Sequence, residues 1–280
     1  MEKLSRTLRI ACIQLKVGTN KTENVARALE KIREAKMKGA ELVSLPECFN
    51  SPYGTKFFQQ YAEAVPEGET SKFLSEISKE LGIYLIAGSI PESKENKLYN
   101  TSTIWDPNGN LIGTYRKMHL FDIDIPGEIT FKESDSLTAG NSFTTFDVKD
   151  FKIGVGICYD IRFEEFAKIY RKKGCNLLVY PGAFNMKTGP LHWELLARAR
   201  ANDNQCYTAL ISPARDVNAD YVAWGHTMVV DPWAKVVETV DSEEGLIVTD
   251  LDLSLVDKVR ANIPVYNQRR SEIYDTIDKK

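Results

Sequence analysis

The sequence lacks the features of a membrane-spanning, secreted or nucleic-acid-binding protein. No apolar run in its 280 residues approaches the roughly 20 residues that a bilayer-spanning helix needs. The apolar run nearest the N-terminus, residues 8–15, is too short and too polar for the core of a signal peptide. The formal net charge of −3 provides no basic surface for nucleic acid or an anionic membrane. We therefore expect neither nucleic acid nor a membrane as a partner.

Cysteine and histidine are both scarce. The five cysteines form an odd, scattered set without a CxxC pair, and there are three histidines. This pattern disfavours a disulfide framework and predicts a reducing compartment, with the cytoplasm as the default and a mitochondrial fraction left open. No Cys/His pair has the spacing of zinc ligands, so we predict no bound metal. The residues are Cys12, Cys48, Cys158, Cys175, Cys206, His119, His192 and His226.

The remaining composition is that of a soluble globular protein, with 43% hydrophobic and 27% charged residues. No Pro/Gly/Ser-rich linker, low-complexity segment or fixed-period repeat divides the chain. We therefore predict a single domain over residues 1–280, with a core at about 8–264 and a C-terminal tail at about 265–280.

Hydrophobic periodicity predicts alternating strands and helices. In the first half, predicted strands at residues 8–15, 41–45 and 83–90 alternate with helices that stop at Gly39 and Gly82. This order indicates the α/β class, with large sheets covered by helices, but leaves open whether one or two sheets form. The later predicted elements are a hairpin of residues 100–105 and 110–115, strands at 151–157, 177–180 and 207–211, and helices at 163–172 and 191–202.

Three reactive side chains follow predicted strands, where ligand-binding groups gather in open α/β sheets. Glu47 lies two residues after the strand that ends at residue 45, and Lys117 lies just past a hairpin strand. Cys158 directly follows Gly-Val-Gly-Ile, and a helix begins near Phe163, so nearby N–H groups are expected to favour a thiolate. Most cysteines are buried structural residues, and the other four, which lack this glycine-rich approach, fit that role.

A thiol nucleophile needs a base. One of the three histidines could serve, although none lies in a recognisable cysteine-protease context. A carboxylate beside an ammonium group can do the same work, because the ammonium keeps the carboxylate ionised and stabilises negative charge on the substrate oxygen. Glu47 and Lys117 are one such possible set.

Three segments resemble the signature segments of the nitrilase superfamily of carbon–nitrogen hydrolases. They are Leu-Pro-Glu at residues 45–47, Tyr-Arg-Lys-Met-His-Leu at 115–120 and Gly-Ile-Cys-Tyr-Asp-Ile-Arg at 156–162. The resemblance extends from residue 8 to about residue 264. It implies a four-layer α-β-β-α sandwich of the α/β class, a homodimer, and no metal or organic cofactor.

The resemblance also implies a role for each matched residue. Glu47 would be the general base, and Cys158 would form a thioester intermediate and release ammonia. Lys117 and the backbone N–H of Tyr159 would hold the oxyanion. A second glutamate, matched through a shorter motif, falls on Glu133 and would position Lys117 and the substrate.

Four further segments resemble omega-amidases in particular, namely residues 46–54, 119–124, 179–185 and 221–226. That branch hydrolyses the terminal amide of 2-oxoglutaramate and 2-oxosuccinamate to 2-oxoglutarate or oxaloacetate plus ammonia. Because such a substrate carries a carboxylate remote from the scissile bond, Arg162 is its expected bidentate partner, with Thr188 and Tyr53 as hydroxyl donors. Lys187 reinforces anion binding or faces solvent, and the sequence does not decide which.

Other functions share these residues. A nitrilase, an N-carbamoyl hydrolase and an amidase for deaminated glutathione all use the same Glu–Lys–Cys set, so that set does not separate them. A non-catalytic metal-binding protein that uses Cys158, Cys206 and the three histidines is the alternative from another class.

Overall fold

The computed structural model describes residues 6–127 and 129–280. In these residues the chain forms fifteen β-strands and six α-helices. None of those helices combines the length and apolar character needed to cross a bilayer. The helices are α1 Lys21–Met37, α2 Thr55–Tyr61, α3 Glu69–Leu81, α4 Glu164–Lys172, α5 Gly189–Asn204 and α6 Leu253–Asn262. The strands are β1 Thr7–Gln14, β2 Leu42–Ser44, β3 Tyr84–Ile86, β4 Ile90–Lys94, β5 Lys97–Trp105, β6 Leu111–Arg116, β7 Asp122–Ile125, β8 Ile129–Lys132, β9 Thr145–Val148, β10 Phe151–Val155, β11 Leu177–Pro181, β12 Tyr207–Ile211, β13 Met228–Val230, β14 Val236–Thr239 and β15 Gly245–Asp252.

The strands form two large mixed sheets and one small hairpin. The first sheet has seven strands in the order β15-β1-β2-β3-β5-β4, and β6 pairs with β5. The second sheet has six strands in the order β14-β13-β12-β11-β10-β9, and β7 pairs with β8 separately. Each large sheet has three parallel central strands, β1-β2-β3 in the first and β10-β11-β12 in the second. Hydrophobic periodicity left open whether one or two large sheets form, and the structure has two.

Both faces of the first sheet are buried, as strand β1 illustrates. Because side chains alternate along a strand, Ile10 and Cys12 face one way and Ala11 and Ile13 face the other. The first pair packs into a cluster that contains the strands of the second sheet, whereas the second pair packs against buried residues of α1 and α3. Residues of α4 and α5 belong to the cluster around the second sheet. The predicted four-layer α-β-β-α arrangement is thus confirmed.

The predicted strand at residues 83–90 is two strands, β3 and β4, with a sharp turn between them. Gly88 makes this turn with φ +53°, a conformation that favours glycine. A β-carbon at Gly88 would lie 2.0 Å from the carbonyl oxygen of Pro46, so the backbones touch there. Ser89 donates from its backbone N–H to the same carbonyl and accepts from the N–H of Cys48. The interrupted strand therefore fixes the segment that carries Glu47.

Candidate active site

Glu47 lies in a turn just after β2, and its side chain is completely buried. Its Oε1 accepts hydrogen bonds from Nδ2 of Asn100 at 2.9 Å and from Nζ of Lys117 at 3.0 Å. Its Oε2 accepts one from the backbone N–H of Ala183 at 2.8 Å. Three donors from three different segments therefore hold this carboxylate in one orientation. Sequence reasoning did not identify Asn100 or Ala183, which have no local motif connecting them to Glu47.

Lys117 directly follows β6 and is also completely buried. Its Nζ lies 3.0 Å from the Glu47 carboxylate and 2.9 Å from that of Glu133. Glu133 in turn accepts hydrogen bonds from the Tyr53 hydroxyl and the Phe121 backbone N–H, each at 2.7 Å. Burial alone would lower the pKa of Lys117, but Glu133 and Glu47 together hold it well above the usual lysine value. The ammonium is therefore charged and fixed between two carboxylates.

Cys158 begins a short 3-10 helix, Cys158–Arg162, at the end of the central strand β10. Its backbone is left-handed, with φ +46°, which turns the side chain away from the strand direction. A β-carbon at Gly182 would lie 3.1 Å from the Cα of Cys158, so a neighbouring strand end closely approaches the nucleophile. The thiol is buried and lies close enough to Glu47 to lower the pKa of that carboxyl. The structure thus brings Glu47, Lys117 and Cys158 together.

The pKa values of the Cys158 thiol and the Glu47 carboxyl are both raised. Burial and the nearby Glu47 raise the pKa of Cys158 well above the usual value, and Lys117 opposes them only in part. The backbone N–H of Ala183 lowers the pKa of this thiol, as expected of N–H groups, but burial and Glu47 outweigh it. Burial also raises the pKa of Glu47; Lys117 lowers it and Glu133 raises it further. A neutral thiol beside a carboxylate with raised proton affinity is the arrangement that general-base catalysis requires.

Tyr159 follows the nucleophile in the same 3-10 helix. The first hydrogen bond of that helix runs from the N–H of Asp160 to the carbonyl of Ile157. The N–H of Tyr159 precedes it and so has no acceptor within the helix. The Tyr159 ring packs against Phe121 and Phe163, with centroids 5.2 and 5.5 Å apart. This backbone N–H therefore lies at a fixed place beside Cys158.

Asp160 connects the nucleophile segment to the lysine segment, and sequence reasoning missed it. Its carboxylate accepts hydrogen bonds from the N–H of Ile157 at 2.8 Å, the N–H of His119 at 2.9 Å and the hydroxyl of Tyr115 at 2.7 Å. His119 Nδ1 lies 2.7 Å from the same carboxylate, and its ring stacks on Phe163. The signal that the sequence offered was an acidic residue two positions after the cysteine.

The histidines lie apart from this chemistry. His192 contacts Arg162, and His226 contacts Arg215. In the described part of the chain, none of the three forms a hydrogen bond with Cys158, so the contacts do not support a Cys–His pair. Across residues 6–127 and 129–280, no three His, Cys, Asp or Glu side chains are grouped as metal ligands would be.

The predicted substrate-binding residues occupy two different cavities. Arg162 and Thr188 line a cavity of about 320 Å³ beside Tyr159. Tyr53 lines another cavity, of about 330 Å³, together with Glu47, and its hydroxyl donates to Glu133. The structure therefore brings Arg162 and Thr188 together and places Tyr53 elsewhere.

The guanidinium of Arg162 is available for an anion. It lies 3.2 Å from Nδ1 of His192 and 4.7 Å from the ring centre of Phe184. Among the residues that the structure describes, no carboxylate oxygen lies within 4.0 Å of it. Thr188 donates its hydroxyl to Asn185 at 3.1 Å, and the neighbouring Lys187 is exposed.

Residues 9–261 match the sequence pattern of the carbon–nitrogen hydrolases. The chain belongs to the carbon–nitrogen hydrolase family. Among solved structures of this family, yeast Nit3 (Saccharomyces cerevisiae), a member of branch 10 of the nitrilase superfamily, is 42% identical with a TM-score of 0.87, covering 96% of this chain and 99% of its own. The NitFhit protein of Caenorhabditis elegans is 33% identical with a TM-score of 0.88, covering 98% of this chain and 68% of its own. The resemblance to the nitrilase superfamily is therefore confirmed.

Among curated carbon–nitrogen hydrolases, the chain is similar to enzymes named omega-amidase NIT2. It is 56% identical to the human protein over 274 residues, which are 98% of this chain and 99% of that one. It is also 56% identical to the zebrafish (Danio rerio) protein over 266 residues, which are 95% of this chain and 96% of that one.

Proposed function

We propose that this carbon–nitrogen hydrolase is an omega-amidase. It hydrolyses the terminal amide of 2-oxoglutaramate or 2-oxosuccinamate and releases ammonia with 2-oxoglutarate or oxaloacetate. The observation that carries the substrate class is the 56% identity to human omega-amidase NIT2 along 98% of the chain. The buried contacts among Glu47, Lys117 and Cys158 support the same chemistry.

In the first half of the reaction, Glu47 accepts the proton of the Cys158 thiol as sulfur attacks the amide carbon. The carbonyl oxygen becomes an oxyanion, which the Lys117 ammonium and the N–H of Tyr159 stabilise. Glu47 then gives its proton to the amide nitrogen, the carbon–nitrogen bond breaks, and ammonia leaves. The acyl group remains on Cys158 as a thioester.

In the second half, water replaces ammonia in the site. Glu47 accepts a proton from water as the oxygen attacks the thioester carbon, and the same donors stabilise the second oxyanion. The carbon–sulfur bond breaks, the acid product leaves, and the proton on Glu47 returns to the sulfur of Cys158. One carboxylate therefore acts as base and acid in each half.

A side-by-side assay of ammonia release tests this function. The substrates are 2-oxoglutaramate, a nitrile and an N-carbamoyl amino acid. Deaminated glutathione is assayed beside them by release of its 2-oxo acid, because its amide nitrogen leaves as a peptide amine and not as ammonia. We expect the highest kcat/KM for 2-oxoglutaramate. A higher value for any of the other three would replace the omega-amidase assignment with the corresponding activity.

Arg162 is proposed to bind the distal carboxylate of the substrate, with Thr188 in the same cavity. Removing one partner of a charged hydrogen bond costs about 1.5–3 kcal/mol, so Arg162→Ala should lose roughly ten- to 150-fold in kcat/KM. The contact exists in ground and transition states alike, so most of the loss should appear as a raised KM. Steady-state kinetics on 2-oxoglutaramate would measure both constants.

Two controls separate carboxylate binding from a structural role of Arg162. Arg162→Lys should restore only part of the activity, because lysine lacks the planar fork that binds a carboxylate bidentately. A neutral amide of similar size should be hydrolysed at the same slow rate by the wild type and by Arg162→Ala. An equal loss on both substrates would mean that Arg162 positions the Cys158 segment instead.

The pH dependence of kcat/KM should follow the ionisation of the Glu47 carboxyl. Burial raises the pKa of Glu47 from the usual value of about 4.3, and the carboxylate must be ionised to accept the thiol proton. Activity is therefore present above this raised pKa and is lost as the pH falls through it. A profile of kcat/KM against pH should show its acidic limb above the usual glutamate range. An acidic limb at or below pH 4 would contradict the assigned base.

We further propose a homodimer in the cytoplasm. Leu191 and Leu195, four residues apart on α5, are each 61% exposed, which gives this helix an apolar face that a second copy could cover. All five cysteines are buried and free, as expected in a reducing compartment.

A further inference from the structure

The segment after α6 folds back over α4 and forms a further cavity with it. Lys172 on α4 contacts Asp275 at 2.7 Å, which ties the segment down. Between them lies a cavity of about 290 Å³, whose walls include Lys168 on α4 and Arg269 on the segment. It shares no lining residue with the two cavities of the active site. The proposed amide chemistry therefore does not use it.

Lys168 reaches this cavity without a counter-ion. Only 7% of the residue is exposed. In the described part of the chain, its ammonium forms no hydrogen bond and has no carboxylate oxygen within 4.0 Å. Glu164 and Asp203 act on it only from longer range. The side chain of Lys168 is buried, while its unpaired ammonium remains accessible and can pair with an anion in the cavity.

Two arginines bring further unused donors to the same place. Among the described residues, Nε of Arg171 and Nε of Arg269 are buried and have no hydrogen-bond partner. The guanidinium of Arg171 stacks on Tyr266, which lines the cavity, with 4.2 Å to the ring centre. The charge of Arg269 acts against those of Lys168 and Arg171. Lys168 and Arg269 therefore line the cavity, and the cation of Arg171 packs against the Tyr266 ring in its wall.

These cations and unused donors favour a ligand with several negatively charged oxygens. It would neutralise the mutual repulsion and accept hydrogen bonds from donors that otherwise lack acceptors. We propose that Lys168 and Arg269, with the charge of Arg171 beside them, form a binding site for a small oxyanion of the phosphate or dicarboxylate class, separate from the catalytic centre. Arg200 connects this site to the nucleophile segment, since it acts on Lys168 and donates to the carbonyls of Ile161 and Arg162.

Isothermal titration of the full-length protein tests the proposal. Inorganic phosphate and succinate are the two probes, at constant ionic strength with chloride as the balancing anion. The variants are Lys168→Gln and Arg269→Gln, with Lys38→Gln as a control that removes one exposed, paired lysine charge. We expect at least one probe to bind the wild type and the control alike. Each site variant should bind it about ten- to 100-fold more weakly.

The stronger probe identifies the class of anion, and two outcomes would overturn the proposal. Equal affinity in the wild type and both site variants would show that these residues do not bind the anion. Loss of binding in Arg162→Ala but not in Lys168→Gln would place the anion at the active site. If Lys168→Gln fails to fold, the charge-retaining Lys168→Arg must still bind the probe and Arg269→Gln must not. These binding measurements do not depend on amidase activity, so the two proposals can fail separately.

Discussion

Replacing Cys158 by alanine is expected to abolish ammonia release, with a loss of at least roughly 10³-fold in kcat. The thioester cannot form without the sulfur. Alanine keeps the β-carbon and needs the same left-handed backbone, so the fold should remain intact. Circular dichroism and thermal unfolding would check the fold, and the ammonia assay would check the activity.

A matched control is Cys175→Ala, which removes another buried core thiol, 17 positions after Cys158 in the sequence. It should retain near-wild-type kcat/KM and lose only stability, because a small cavity replaces the sulfur. Substantial turnover by the Cys158→Ala protein would rule out the proposed thioester mechanism. Loss of turnover in both variants would point to a general effect of removing buried sulfur.

The second large effect is expected at Lys117. Lys117→Gln keeps much of the side-chain shape and removes the charge, at a cost of about 3 kcal/mol or more in transition-state stabilisation, which is over 10²-fold in kcat. Lys117→Arg should fail as well. The ammonium lies within 3.0 Å of Glu47 and 2.9 Å of Glu133 without any exposed surface, and this space cannot hold a wide planar fork.

Stability gives an independent check on the same residue. Without the ammonium, two buried carboxylates remain close together, so the free energy of unfolding of Lys117→Gln should fall at neutral pH. The folded-state pKa of Glu47 then rises further above its unfolded value, and lowering the pH should recover part of the lost stability. Lys31→Gln, which removes a half-exposed lysine paired with Glu34, should show neither effect.

Near-wild-type kcat in Lys117→Arg would show that Lys117 is not an oxyanion ligand.

The sequence predicted which side chains meet at the buried site better than it predicted the contacts around them. Glu47, Lys117 and Cys158 could be found because each follows a strand whose local pattern is readable. The donors that orient Glu47 could not, since Ala183 is 136 positions away and meets it only through the two-sheet packing. Tyr53 shows the same limit, because no local pattern indicated that its hydroxyl donates to Glu133.

The prediction of helices and strands failed where the local sequence pattern and the tertiary structure disagree. The apolar run at residues 83–90 has strand character throughout, but contact with the Glu47 segment forces a turn at Gly88. The hairpin of β7 and β8 consists of four-residue strands with polar residues, too short to show a period. The C-terminal segment contains no regular helix or strand, so nothing in its pattern indicated the cavity that it forms with α4.

Gly88 also sets a limit for redesign of the enzyme. A library that changes specificity by varying residues near the substrate would normally leave out a glycine that touches none. Yet any side chain at this position would collide with the carbonyl oxygen of Pro46, the residue that immediately precedes Glu47. Grafted loops and shuffled segments that cross residues 83–90 must therefore preserve the backbone path here. A chimera could otherwise fold, retain all its reactive residues and still be inactive.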